Sequence, residues 1–130
     1  MYTVKYVLAL VGAAVGYLVG DIDGLFIALI IFVVIDYITG VLKAIYLRKL
    51  SSEVGAVGIL KKICIFILVA VANVIDHYIM KVGGSPCRTS VIFFYLANEG
   101  ISILENIAAL DVPIPEKLRS IMENIDKDTQ

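Results

Sequence analysis

The sequence predicts an all-α membrane protein. About four transmembrane helices are expected, three if the weakest lies in the interface, followed by a short amphipathic cytoplasmic helix at the C-terminus. Three observations predict this class. The 130 residues are 60% hydrophobic and 18% charged, with a mean hydropathy of +0.94. Soluble domains average roughly 45–50% apolar and about 25% charged, so a chain this small has too few polar side chains to cover itself in water. The apolar residues also gather in four stretches, at about 2–19, 24–42, 59–80 and 89–110. Finally, those stretches are apolar on nearly every face, whereas a soluble helix carries an apolar stripe and a wet face.

A spanning helix needs about 20 mostly apolar residues to cross a hydrocarbon core of ~30 Å. The first stretch is uncharged only from Tyr6 to Gly20. That run reaches about 22 Å at ~1.5 Å per residue, so the helix recruits Tyr2 to Lys5 or thins the bilayer. Lys5 ahead of an apolar run also fits a secretory signal, with small residues around Gly12 to Gly16. The next stretch is equally apolar, so cleavage would still leave a membrane protein, and retention of the first helix is expected. Gly12, Gly16 and Gly20 form overlapping GxxxG patterns, which let helix backbones approach closely. Packing within one subunit and packing between subunits fit this stripe equally.

Gly20-Asp21-Ile22-Asp23-Gly24 reads as a tight polar turn into the second helix. The second helix meets Asp36 after twelve uncharged residues, with Gly40 and Lys43 on the same face at i+4 and i+7. Ser51-Ser52-Glu53 suits the start of the third helix, whose far end carries Asp76 and His77, read as interfacial residues. Gly83-Gly84-Ser85-Pro86 breaks that helix and starts the fourth. In the fourth, Asn98, Ser102 and Glu105 share one stripe, bordered by Glu99 and Asn106. Pro113 and Pro115 end it. Beyond them Leu118, Ile121, Met122 and Ile125 recur at helical spacing among charges, the pattern of a surface helix. The chain therefore divides into a transmembrane bundle, 1–112, and a charged cytoplasmic tail, 113–130.

Basic residues in short loops set orientation. Lys43, Arg48, Lys49, Lys61 and Lys62 surround the second connection, whereas the first offers only Asp21 and Asp23. Four spans then place both termini and the basic loop in the cytoplasm.

An ionisable residue inside a span costs about 2.5–3.5 kcal/mol on insertion scales and usually faces protein or water. Asp36, Lys43, Asn98, Glu99, Ser102, Glu105 and Asn106 thus form two polar seams. They can meet within one bundle, meet between subunits, or line water. Glu105 can instead snorkel to the interface. Nothing in the chain suggests catalysis, a metal or a cofactor: His77 is the only histidine, and no Walker A or HExxH sequence occurs. A net charge of −1 argues against a nucleic-acid partner. Cys64 and Cys87 fall toward opposite ends of neighbouring helices, too far apart for a disulfide.

One ordered set of residues is distinctive. It comprises Asp36-Tyr37-Ile38-Thr39-Gly40-Val41-Leu42-Lys43-Ala44, then Ser51-Ser52-Glu53-Val54-Gly55, Gly58 and Lys61-Lys62. Arg88, Phe93-Phe94-Tyr95, the run Asn98 to Asn106, and Val112-Pro113-Ile114-Pro115 with Leu118 follow. In that order the chain resembles the toxin-secretion/phage-lysis holin family over roughly residues 30 to 118. The resemblance implies a small protein of the bacterial cytoplasmic membrane that homo-oligomerises in lipid. It further implies permeabilisation that releases a cell-wall hydrolase (endolysin) or a large toxin, without covalent chemistry. A selective ion channel or transporter using the same carboxylates, and a non-permeating membrane scaffold, are the competing classes.

Overall fold

The computed structural model describes residues 1–129 and contains five α-helices. They are α1 (Tyr2–Val19), α2 (Gly24–Tyr46), α3 (Ser52–Val74), α4 (Pro86–Ala108) and α5 (Glu116–Thr129), with a π-helical turn over Ile75–Ile79 prolonging α3. No strand occurs among the described residues. Four helices are long and apolar enough to cross a membrane: Tyr2–Val19, Gly24–Tyr46, Ser52–Ile79 and Pro86–Ala108.

Local chemistry sets the helix starts. The Asp23 carboxylate accepts from the Phe26 N–H at 2.9 Å and opens α2. Ser51 Oγ accepts from the Val54 N–H at 3.1 Å and opens α3. Pro86 begins α4, where its missing N–H costs nothing. Arg48 and Asp111, both at positive φ, turn the chain out of α2 and α4, and Tyr46 Oη donates to Asp111 Oδ2 at 2.8 Å to tie those two ends together.

The third helix begins at Ser52, the start that Ser51-Ser52-Glu53 suits, and the Ser51 cap carries it through the small run Val54-Gly55-Ala56-Val57-Gly58 ahead of the apolar stretch at 59. Lys61 and Lys62 therefore lie inside α3, and the basic loop shrinks to the residues around Arg48 and Lys49.

Leu29 and Val33 of α2, Ile65 and Val69 of α3, and Ile92 and Leu96 of α4 form the core, closed at one end by Val19 and Phe26. The Phe26 and Phe66 rings meet edge-on at 5.8 Å. Outward-facing Leu10, Ile31, Leu60 and Ile67 stay exposed, as side chains facing lipid would. By backbone approach α1 lies against α3 alone. A Cβ at Gly12 or Gly16 would meet no atom within 4 Å, so these glycines pack against nothing in the subunit.

The last helix folds back along α4. Met122 is buried against Gly100 and Phe32, Arg119 and Glu123 stand beside Glu105, and Ile125 shares a hollow with Thr89 and Phe93.

Candidate functional site

Two polar clusters interrupt the apolar bundle. The first lies at mid-depth, where α2, α3 and α4 converge. Lys62 stands about 15 Å along α3 from Ser52 at ~1.5 Å per residue. Its ammonium donates to Asp36 Oδ2 and to Glu99 Oε2, both at 2.6 Å. The two carboxylate residues are 8% and 7% exposed, so neither charge is left to water. Asn106 Nδ2 donates to Asp36 Oδ1 at 2.9 Å and to Thr39 Oγ1 at 3.1 Å. The Thr39 hydroxyl in turn donates to the Ile35 carbonyl at 2.9 Å. The pairing offsets much of the cost of placing charge in an apolar medium. A cavity of about 370 Å³ adjoins the cluster, with Tyr37, Gly55, Lys61 and Ser102 in its wall. Leu50 and Ser51 also line it, so it reaches the α2–α3 loop.

The second cluster ties the opposite end of the bundle. Arg88, 3% exposed, lies under the α1–α2 turn. Its Nε donates to the Val19 carbonyl at 2.6 Å, Nη1 donates to Asp23 Oδ2 at 3.0 Å, and Nη2 donates to the Asp21 carbonyl. The guanidinium also covers the Phe26 ring, 5.6 Å from its centroid. The π-turn presents Asp76 to the start of α4, where its two oxygens accept from the Cys87 and Arg88 N–H groups, both at 2.9 Å. Asp76 is wholly buried, a correction to its reading as an interfacial residue. Two orphan amides and the positive end of α4 satisfy it, which sequence spacing alone did not reveal. Asn73 Nδ2 donates to the Leu18 carbonyl at 3.0 Å, while its buried Oδ1 has no partner. Asp23 stands outside the spans. Its carboxyl is held below the ordinary carboxylate value, chiefly by the Phe26 N–H; partial burial opposes this and the Arg88 guanidinium adds to it.

Of the residues singled out by sequence, the structure brings Asp36, Glu99, Asn106 and Lys62 together. Ser102 and Gly40 border them: Ser102 lines the cavity, and a Cβ at Gly40 would stand 3.7 Å from Asn106 Nδ2. Lys43 is half-buried in the last turn of α2 and forms no ion pair. Asn98 and Glu105 face outward, on the flank of α4 away from the cluster. Gly20 has φ +86° and packs so tightly that a Cβ would stand 2.7 Å from Asn73 Oδ1. Arg48, Lys49 and Lys61 are exposed, whereas Lys62 turns inward. Cys64 and Cys87 are free thiols. Sequence reasoning missed Asn73 and quoted Thr39 only within a run of residues that carries the resemblance. It used Asp23 and Arg88 only as loop charges or parts of a resemblance. The one available signal was Arg88 beside a helix start, within reach of a turn rich in acceptors.

The profile of the bacteriophage holin family matches residues 13–127. The chain belongs to that family. An uncharacterized protein of Listeria innocua is 49% identical over 111 residues, covering 85% of this chain and 78% of the relative. A 14.9 kDa protein encoded beside nagH in Clostridium perfringens is 39% identical over 123 residues, covering 95% and 92%. A protein of Bacillus phage phi105 named probable holin is 39% identical over 112 residues, covering 86% and 81%. No solved structure matches the chain. Membership and four long apolar helices together make this holin-family chain a multi-pass membrane protein, and membership points away from enzymatic activity.

Proposed function

We propose that the chain is a holin that oligomerises in the bacterial cytoplasmic membrane and permeabilises it, releasing an endolysin or a protein toxin. The family match over nearly the whole chain carries this reading. The geometry adds a division of labour among the polar residues. Asp36, Glu99 and Asn106 pair with Lys62 or Thr39 and hold each bundle together before assembly. Asn98 and Glu105 face outward, where they meet a neighbouring subunit or water in the assembled lesion. Gly12 and Gly16, unoccupied within the subunit, admit a helix of a second copy at close range.

The basic end of the bundle, with Lys43, Arg48 and Lys49, faces the cytoplasm together with both termini. The tail carries Glu116, Lys117, Arg119, Glu123, Asp126, Lys127 and Asp128. Each charge at bilayer depth costs about 2.5–3.5 kcal/mol, so α5 leaves α4 for the cytoplasmic surface once lipid surrounds the bundle.

The test is induced expression in a bacterium, alone and with a cytoplasmic cell-wall hydrolase, following turbidity and membrane potential. Abrupt depolarisation, with lysis only when the hydrolase is present, is the expected result. Steady growth with intact potential, given confirmed insertion, favours a scaffold. Stable, saturable single-channel currents favour an ion channel.

A further inference from the structure

The mid-depth cluster does not balance its charge. Asp36 and Glu99 bring two negative charges to one Lys62 ammonium, a formal sum of −2 + 1 = −1. Both Asp36 oxygens have donors, from Lys62 and Asn106. Glu99 has a donor on Oε2 only. Its second oxygen accepts no hydrogen bond and is not sealed from the cavity that the side chain, nine-tenths buried, helps to line. Asp76, wholly buried, differs in having a backbone donor on each oxygen. An uncompensated carboxylate at mid-bundle is costly, and a proton removes the cost at the smallest steric demand.

We infer that Asp36 and Glu99 form a proton-binding site, holding one dissociable proton that enters through the cavity from the α2–α3 loop.

The proton comes from water at the cavity mouth and forms an O–H bond on one carboxylate, leaving the other ionised against Lys62. The groups facing the cluster are Asp36 and Tyr37 from α2, Lys61 and Lys62 from α3, and Glu99 from α4. The charged residues of α5 nearest α4's lower half, Arg119 and Glu123, stand beside Glu105 instead. Lys61 is exposed and forms no ion pair, so it does not replace the missing positive charge. A metal cation fits poorly. The Lys62 ammonium already occupies the space between the carboxylates, and no group of three His, Cys, Asp or Glu side chains among the described residues could hold one.

Infrared spectroscopy of the full-length protein, in a detergent without ester carbonyls, tests the site without reference to lysis. At neutral pH the wild type should show the C=O stretch of one protonated carboxyl, shifted in D2O and unaltered when choline replaces sodium. Asp36→Asn and Glu99→Gln should each abolish that band, because the remaining carboxylate then matches Lys62. Lys62→Gln should double it, and Lys61→Gln should leave it unchanged. A wild-type spectrum without the band overturns the inference, independently of how any variant folds. A band that survives both amide variants, or that sodium suppresses, overturns it too. Failure of the holin reading would leave these spectra untouched.

Discussion

At the α1–α2 end of the bundle, Arg88 reaches two backbone carbonyls and one carboxylate from a single guanidinium. At mid-depth, Lys62 reaches two carboxylates and no carbonyl. Both are cations that join different elements, Arg88 buried and Lys62 partly buried, yet they handle charge differently. Around Arg88 the acidic groups are met by backbone: Asp76 caps α4, and Asp23 caps α2 while remaining partly in water. Around Lys62 one carboxylate charge has no such partner. Backbone dipoles are fixed by the fold, so the first cluster is a clamp with one arrangement. Side-chain charge can be changed by a proton, so the second has more than one. The contrast also separates position: the clamp ties the α1–α2 turn to the start of α4, while the mid-depth site joins the middles of α2, α3 and α4.

The largest effect is expected at the clamp. Arg88→Met strands the Val19 and Asp21 carbonyls and the inner face of Asp23 under the turn. Breaking a buried pair from one side costs about 3–5 kcal/mol, although the half-exposed Asp23 places the expected loss toward the lower end. Equilibrium unfolding of the purified protein in mixed micelles measures it. A loss below about 1 kcal/mol, within the range of ordinary surface substitutions or little beyond it, would falsify the clamp.

Gly20→Ala attacks the same end through the backbone. The residue lies at φ +86°, and an added Cβ would crowd Asn73 Oδ1 at 2.7 Å and Arg88 Nε at 2.9 Å. Strain of this kind costs about 1–3 kcal/mol. Gly12→Ala, on the same stripe but facing open space, should unfold like the wild type. Equal losses at the two glycines would show that crowding against Asn73 and Arg88 does not set the cost at Gly20, since helix propensity alone favours alanine over glycine by up to about 1 kcal/mol.

These two glycines also show how far sequence reaches. Their place on one stripe of four-residue repeats was legible, but the partner of each was not, because spacing defines a face and tertiary packing chooses what it meets. The same limit applies to α4. The stripe Asn98–Ser102–Glu105 was read from helical spacing; in α4 the bordering residues Glu99 and Asn106 turn inward while Asn98 and Glu105 stay exposed. Periodicity supplies relative angles and leaves the absolute phase to contacts with α2. The four apolar helices were legible because hydropathy is a bulk property that needs no partner. Lys62 was misplaced for the complementary reason. Beside Lys61 it looks like loop charge, and only its encounter with two distant carboxylates makes it an interior residue.

A smaller effect sharpens the contrast at mid-depth. Glu99→Gln removes the surplus carboxyl group while leaving Lys62 paired with Asp36. An amide also keeps an acceptor toward the ammonium. Stability at neutral pH should therefore change by less than about 1 kcal/mol, in contrast to truncation of a balanced buried pair. A loss comparable to that of Arg88→Met would mean that both carboxylates are ionised and needed, making the two clusters alike.

The smallest effect lies at Asp23 and is read through pH. Its folded carboxyl titrates below the ordinary value, mainly because the ionised form accepts the Phe26 N–H, with Arg88 contributing. A group whose folded pKa is depressed stabilises the fold fully above the unfolded value, about 3.9 for aspartate. That contribution is lost as pH falls through the lower folded value. Asp23→Asn keeps a side-chain oxygen for the cap but cannot titrate. Thermal unfolding in micelles from about pH 6 to about pH 3 should therefore show the wild type losing part of its advantage over the variant as carboxylates protonate. A stability difference that does not vary with pH would mean that the cap works through geometry alone. The charge of Asp23 would then add nothing to the clamp, and backbone carbonyls would carry the whole of Arg88's hold on the turn.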